Sequence, residues 1–188
     1  MRFRKNIERI GEVMAYKISK TLNFEKKTIK TPLGKKETLL DNDDLVLASI
    51  LRAAIPFHQG FLNYFDKAEN AFISAYRKKD KNNTFKFEVE YLASPDINNK
   101  TVILIDPMLA TGQSMYLSYQ TLLKRGNPKH IHLASVIASS QAIEYINQML
   151  NNVSYTLWVG DVDEKLNDKA YIIPGLGDAG DLSFGEKI

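Results

Sequence analysis

The chain has 188 residues, is 44% hydrophobic and 25% charged, and carries a net charge of +3, which fits one globular domain spanning residues 1–188 and excludes wholesale disorder. It contains no cysteine, so disulfides, thiolate zinc sites, iron–sulfur clusters and a cysteine nucleophile are all excluded. No apolar run approaches the length of a membrane span, and Met1-Arg2-Phe3-Arg4-Lys5 does not open a secretory signal, so a cytoplasmic protein is expected.

The first 36 residues hold eleven Lys/Arg against three Glu, while the other 152 hold fourteen against nineteen acids. A basic head suits a phosphorylated ligand or nucleic acid. Aromatic residues do not interleave with these cations in a stacking pattern, so a solvated helix face is the better reading and nucleic acid is not the expected partner.

Between Phe3 and Leu22, Ile7, Ile10, Met14, Ile18 and Leu22 recur at three and four, the spacing of an amphipathic helix. No Ser, Thr or Asp cap precedes it, which suggests a missing N-terminal extension. Thr31-Pro32-Leu33-Gly34 reads as a turn. Leu45–Leu51 is almost continuously apolar, as a strand buried on both faces of a parallel sheet should be. A helix over Pro56–Phe65 and a strand over Ala71–Tyr76 follow. Phe85, Phe87, Val89 and Tyr91 then alternate with Lys86, Glu88 and Glu90, the pattern of a strand with one wet face. With the polar stretch Arg77–Asn83 before it, this segment predicts a hairpin projecting from the sheet. Strand and helix resume their alternation over Thr101–Ile105, Gln113–Arg125, Ile131–Ile137, Gln141–Leu150 and Tyr155–Val159. Such alternation predicts an α/β domain with a mostly parallel sheet.

Two loops could carry chemistry. Val102–Ile105 runs into Asp106-Pro107-Met108-Leu109-Ala110-Thr111-Gly112-Gln113-Ser114, an acid followed by small and hydroxyl residues that open a helix. Small residues let backbone N–H groups approach a ligand, and a helix N-terminus favours an anion. The sequence is neither a Walker A loop nor a Gly-x-Gly-x-x-Gly fingerprint. An ordinary helix cap by Thr111 or Ser114 is the competing structural reading. The second loop, Ile172-Ile173-Pro174-Gly175-Leu176-Gly177-Asp178-Ala179-Gly180-Asp181, begins a stretch from 175 to 185 that holds four of the ten glycines. Its main-chain donors and acceptors could read a planar ligand.

Asp106–Gly112 with Ser114 resembles the phosphoribosyl-pyrophosphate (PRPP) loop of the uracil phosphoribosyltransferases. Pro174–Asp181 resembles their uracil loop, Ile50-Leu51-Arg52-Ala53 their pyrophosphate loop, and Tyr76-Arg77 their second phosphate-binding arginine. The four motifs stand in the family's order over nearly the whole chain. The resemblance implies a type I phosphoribosyltransferase fold, with a mainly parallel five-stranded sheet flanked by helices and a β-hairpin arm at about residues 77–93. It implies transfer of phosphoribosyl from PRPP to uracil, giving UMP and pyrophosphate in pyrimidine salvage. PRPP would be bound by Arg52, Arg77, Asp106, Pro107, Met108, Leu109, Ala110, Thr111, Gly112, Gln113, Ser114 and Asp178. Ile172, Gly177, Asp178 and Ala179, in a C-terminal loop over about 171–185, would bind uracil. Asp106 and Asp178 are the catalytic candidates, the first at the ribose hydroxyls, the second orienting the complex or assisting loss of the uracil proton. Mg²⁺ held mainly through PRPP, a homodimer or higher oligomer, and a GTP effector complete what the resemblance implies.

The chain departs from the pattern at Ala54 and Gln113, where glycines are expected, and at Leu182, where an arginine is expected. Absence of the segment that precedes the first helix in the family is a fourth expected departure. The four together with the basic head motivate an alternative, a catalytically weak nucleotide-sensing or RNA-binding regulator; a third reading is an enzyme for another base. His130 and His132, two apart on a strand, could chelate a metal, but no third ligand stands nearby and packed or surface histidines are expected. His58 is read as a helix-face histidine and Trp158 as core. Asp161, Asp163 and Glu164 lack EF-hand spacing, and Lys78, Lys79 and Lys81 are read as a solvated hairpin tip.

Overall fold

The computed structural model describes residues 2–41, 43–79 and 85–186, with side chains left aside at 75–79 and 85–88. Helix α1 (Arg2–Ser19) buries Ile7, Gly11, Met14, Ala15 and Ile18 on one stripe, as the spacing requires. Strands β1 (Phe24–Thr31) and β2 (Gly34–Asp41) form a separate antiparallel hairpin around the expected Thr31–Gly34 turn. Strand β3 (Leu45–Leu51) leads to α2 (Ile55–Tyr64), and then β4 (Glu69–Lys79) pairs antiparallel with β5 (Phe85–Ala93). Next come β6 (Thr101–Ile105), the short β7 (Met108–Leu109), α3 (Gln113–Leu122) with a 3-10 turn at Leu123–Arg125, and β8 (His130–Ser139). The chain ends through α4 (Ser140–Met149), β9 (Tyr155–Asp163), β10 (Lys165–Leu166), β11 (Ile172–Ile173) and α5 (Ala179–Phe184).

The parallel strands lie in the order β4-β3-β6-β8-β9, with β5 antiparallel at one edge. Strand β7 continues along β8 on the same side as β6, beyond the end of that strand. Neighbours of β3 therefore come from opposite directions of the chain, with β4 on one side and β6 on the other. In an open α/β sheet, ligands bind at the carboxyl ends of the strands flanking such a reversal. Those ends deliver Arg52 after β3 and Asp106 after β6.

The apolar run of β3 is buried on both faces, which is why it lacks alternation. Val46, Ala48 and Ile50 join Val102, Leu104, Met115, Tyr119 and Ile146 in one core, covered by α3 and α4. Leu45 and Leu47 join Ile103, Ile105, Ile18, Phe57 and Phe61 in the other, covered by α1 and α2. The α1–α2 crossing depends on close backbone approach. A Cβ on Gly60 would lie 2.0 Å from the Glu8 carbonyl oxygen and 2.9 Å from the Glu12 nitrogen. Gly60→Ala must therefore push two helices apart, and we expect it to cost about 3 kcal/mol as an overpacked core site does. Urea denaturation checks this, and a midpoint equal to that of the parent chain would contradict it.

The expected apolar face of the arm is modified. The register steps from Ser74↔Tyr91 to Ala75↔Val89, so β5 accommodates one more residue than β4 at that point. Val89 and Leu92 pack against the sheet core, whereas Tyr91 is 54% exposed. Val89 and Tyr91 thus do not share one covered face. Phe85 and Phe87 pair through the ladder with Lys79 and Arg77. The expected tip residue Lys81 lies outside the described residues.

Candidate active site

The loop after β6 is held from below by the sheet. The Asp106 N–H donates to Ala134 O at 3.1 Å, and the Pro107 carbonyl accepts from the N–H groups of Val136 at 3.1 Å and Ile137 at 3.2 Å. Ser139, fully buried, fixes the next turn: its hydroxyl donates to Ala110 O at 2.6 Å and accepts the Ala142 N–H at 3.0 Å, which also caps α4. Gly112 follows at φ +78°, a left-handed conformation that favours glycine. Among the described residues no side chain caps α3, although Thr111 and Ser114 stand at its start. The Thr111 hydroxyl oxygen accepts only a long contact from the Gln113 N–H, at 3.5 Å. The first turn of α3 thus faces a cavity with its N–H groups and two hydroxyls, the arrangement that suits a phosphate.

The opposite wall comes from the C-terminal segment. Asn167 folds a turn in which its Oδ1 accepts the N–H groups of Lys169 at 3.0 Å and Tyr171 at 2.9 Å. The turn brings Lys169, Ala170 and Tyr171 to the cavity. Asp163 Oδ2 accepts the Gly175 N–H at 2.9 Å, holding the following bend. Asp178 caps α5 by accepting the Asp181 N–H at 2.9 Å through Oδ1. Between the walls lies a cavity of about 280 Å³, lined by Asp106, Met108 to Met115, Lys169 to Ile172, Gly177 and Asp178.

The structure therefore brings together most of the expected site. Pro107 and Ala179 are buried supports beside the cavity and do not line it. Arg52 points at α5, with Nη2 donating to Asp181 Oδ1 at 2.9 Å and to the Gly185 carbonyl at 2.5 Å. Arg77 is in β4 opposite Phe87. Tyr171 opens the expected C-terminal loop, whereas Lys169 and Ala170 escape a reading of the sequence, although the Asn167-Asp168 pair is a turn signal that points to them. Ser139 escapes it as well, despite being a Ser directly before a helix.

Asp106 is only partly open to solvent, and burial pushes its carboxyl up to about 7. The 3.3 Å hydrogen bond from the Met108 N–H opposes that shift, and the neighbouring Asp178 carboxylate adds to it. Burial thus favours the neutral form.

The departures at 54, 113 and 182 fall in different places. The Ala54 methyl is buried in the α1/α2 core, so it does not narrow the cavity. Gln113 is exposed and lines the cavity, and Leu182 is half-exposed on α5. The two strand histidines are occupied by neighbours. His130 bonds Ser154 Oγ at 2.8 Å and Thr156 Oγ1 at 3.0 Å, and His132 Nδ1 accepts the Trp158 indole N–H at 3.1 Å. Burial holds His132 down at about 4, hence neutral. Trp158 is partly buried against the α1/α2 core. His58, rather than lying on an open helix face, is buried and bonded to Ser49 Oγ at 2.6 Å.

The sequence matches the family model described as uracil phosphoribosyltransferase over residues 1–186. The chain belongs to the uracil phosphoribosyltransferase family. A relative in Porphyromonas gingivalis named uracil phosphoribosyltransferase is 56% identical over 188 residues, covering all of this chain and 87% of its own. One of the same name in Pyrococcus furiosus is 38% identical over 191 residues, covering 100% and 81%. A solved structure from Aquifex aeolicus superposes with a TM-score of 0.89 at 32% identity, covering 97% of this chain and 85% of that one. A hypoxanthine phosphoribosyltransferase from Staphylococcus aureus superposes at 0.56 with 15% identity, covering 87% and 76%, which speaks for the fold alone. The uracil phosphoribosyltransferase family thus places an enzyme on a type I phosphoribosyltransferase fold, the mostly parallel sheet with its flanking helices and β-hairpin.

Proposed function

We propose that this enzyme transfers the phosphoribosyl group of PRPP to N1 of uracil, giving UMP and pyrophosphate. The observation that carries the proposal is the pairing, across one cavity, of an uncapped helix N-terminus with a backbone-rich loop. The phosphate loop offers N–H groups and the Thr111 and Ser114 hydroxyls to the 5′-phosphate. Asp106 accepts from the ribose hydroxyls. Arg52 and Arg77 take the pyrophosphate, for which the planar guanidinium is suited. The C1–O bond to pyrophosphate breaks, the C1–N1 bond forms, and the uracil proton is lost from N1. Charge at the transition state is cationic on the ribosyl group by analogy with glycoside cleavage. The protein holds the two reactants in line and stabilises the leaving group, with no covalent intermediate. Asp178 orients the substrates or receives the proton.

The donor set fits a divalent cation that arrives with its substrate. Two carboxylates, Asp106 and Asp178, stand close enough for one to raise the other, and hard oxygen donors suit Mg²⁺. Among the described residues no cluster of three or more metal-ligating side chains would hold the ion alone. Bound through PRPP, Mg²⁺ would neutralise charge on the leaving pyrophosphate. Cytoplasmic location, a homodimer joined through the β4–β5 arm and a GTP effector rest on the resemblance, and the exposed Tyr91 ring is compatible with an arm that meets a partner.

Base choice gives the test. Uracil presents two carbonyl acceptors flanking an N3–H donor. Backbone groups near Ile172 and Gly177–Ala179 can face them with two donors and one acceptor, and cannot exchange those roles by rotating, as an amide side chain can. Cytosine would mispair twice, at about 1–3 kcal/mol each, so we expect discrimination of about a hundredfold or more in kcat/KM. Steady-state rates with both bases check this, and comparable efficiency would remove the loop from its role as reader.

A further inference from the structure

Arg52 leaves the end of β3 and reaches the far end of α5. Its Nη2 donates to both Asp181 Oδ1 and the Gly185 carbonyl, and the Phe184 ring centroid lies 5.9 Å from its Cζ. Its Nε–H is buried and has no acceptor among the described residues. A guanidinium grips a phosphate through one of two planar donor pairs, Nε with Nη2 or Nη1 with Nη2. Nη2 belongs to both pairs, and both of its hydrogens are committed to α5 and the residue after it. Arg52 as it stands can offer a diphosphate only single-point contacts.

We infer that Asp181 and the Gly185 carbonyl form an internal latch that competes with the diphosphate of the substrate for Arg52. The inference rests on the reading of Arg52 as a pyrophosphate ligand. Capture of the diphosphate exchanges one set of acceptors for another and frees α5 from the loop after β3. The same helix is capped by Asp178 and carries Ala179 in its first turn, so its release reaches the wall assigned to the base. Occupation of the diphosphate subsite is thereby linked to the shape of the base subsite. The ion pair is partly open, with side chains 30% and 35% exposed, so its competition is modest.

The experiment is a double-mutant cycle read by titration calorimetry, with inorganic pyrophosphate in magnesium buffer as the probe and the full chain as the protein. Asp181→Asn keeps the shape of the side chain and its backbone cap, and should bind pyrophosphate about three- to fivefold tighter. Arg52→Ala should bind it at least about tenfold more weakly. In the Arg52→Ala background, adding Asp181→Asn should change nothing. Equal tightening in both backgrounds would show a general charge effect and overturn the latch. So would unchanged or weaker binding by Asp181→Asn while Arg52→Ala is impaired. Parent-like binding by Arg52→Ala would instead remove the arginine from the pyrophosphate site, and the latch with it. Circular dichroism confirms folding of each variant, and Asp181→Ser replaces Asp181→Asn if the latter does not fold.

Discussion

Asp106→Asn is expected to make the protein more stable above pH 7 while impairing its use of PRPP. Burial raises the folded carboxyl from 3.8 to about 7. Below the unfolded value both states are protonated, and the group costs nothing. As pH rises from about 4 towards 7 the unfolded chain ionises while the folded one does not, so stability falls; above 7 the loss levels off. Asparagine carries no such cost. The variant should match the parent near pH 4 and exceed it by about 2–4 kcal/mol at pH 8, the partial opening of the site to water lowering the figure. For a chain of this length that corresponds to a rise of about 5–10 °C in Tm. Thermal melts of both proteins across pH 4–8 measure it, and a difference that does not vary with pH would rule out carboxyl burial as its cause. On the proposed role of Asp106 in binding PRPP, stability is given up for function, a common trade.

Gly112→Ala should do the reverse, damaging fold and site together. The φ of +78° strains any L side chain, and a Cβ there would stand 2.8 Å from the Tyr145 ring and 3.3 Å from the Ala142 carbonyl oxygen. Strain and overlap together should cost about 2–4 kcal/mol. The shift needed to relieve them moves the first turn of α3, whose N–H groups are assigned to the phosphate. PRPP affinity should therefore fall by about tenfold or more. Calorimetric titration of the folded variant decides the point, and parent-like affinity would separate Gly112 from the phosphate site.

Much of this architecture is legible in the sequence because burial writes itself into composition. Leu45–Leu51 and Thr101–Ile105 are apolar on both faces and read as interior parallel strands at the bounds observed. The Asp106–Ser114 loop is legible as a candidate site because an acid followed by small and hydroxyl residues opens a helix, and the structure lines a cavity with most of it. The β1–β2 hairpin is legible only at its turn. Its strands are charged and almost wholly exposed, so backbone pairing specifies them without an apolar signature. The register step in β5 is hidden, since regular alternation in sequence carries no mark of an added residue. Arg52 is found by resemblance, but its engagement with Asp181 joins positions 129 residues apart and only tertiary structure could show it. Lys169 and Ala170 reach the cavity through a turn organised by one amide side chain, Asn167, whose effect depends on what stands opposite.

A cavity between the α3 N-terminus and the Ile172–Asp178 loop that joins uracil to a phosphoribosyl group must release two products together. Incubating the purified full chain with labelled uracil, PRPP and Mg²⁺, and following UMP and pyrophosphate, tests this without intermediaries. The two products should appear in equal amounts, formed catalytically and dependent on PRPP. No UMP from folded protein that binds PRPP, or faster product formation with a purine base than with uracil, would contradict the assignment of this cavity.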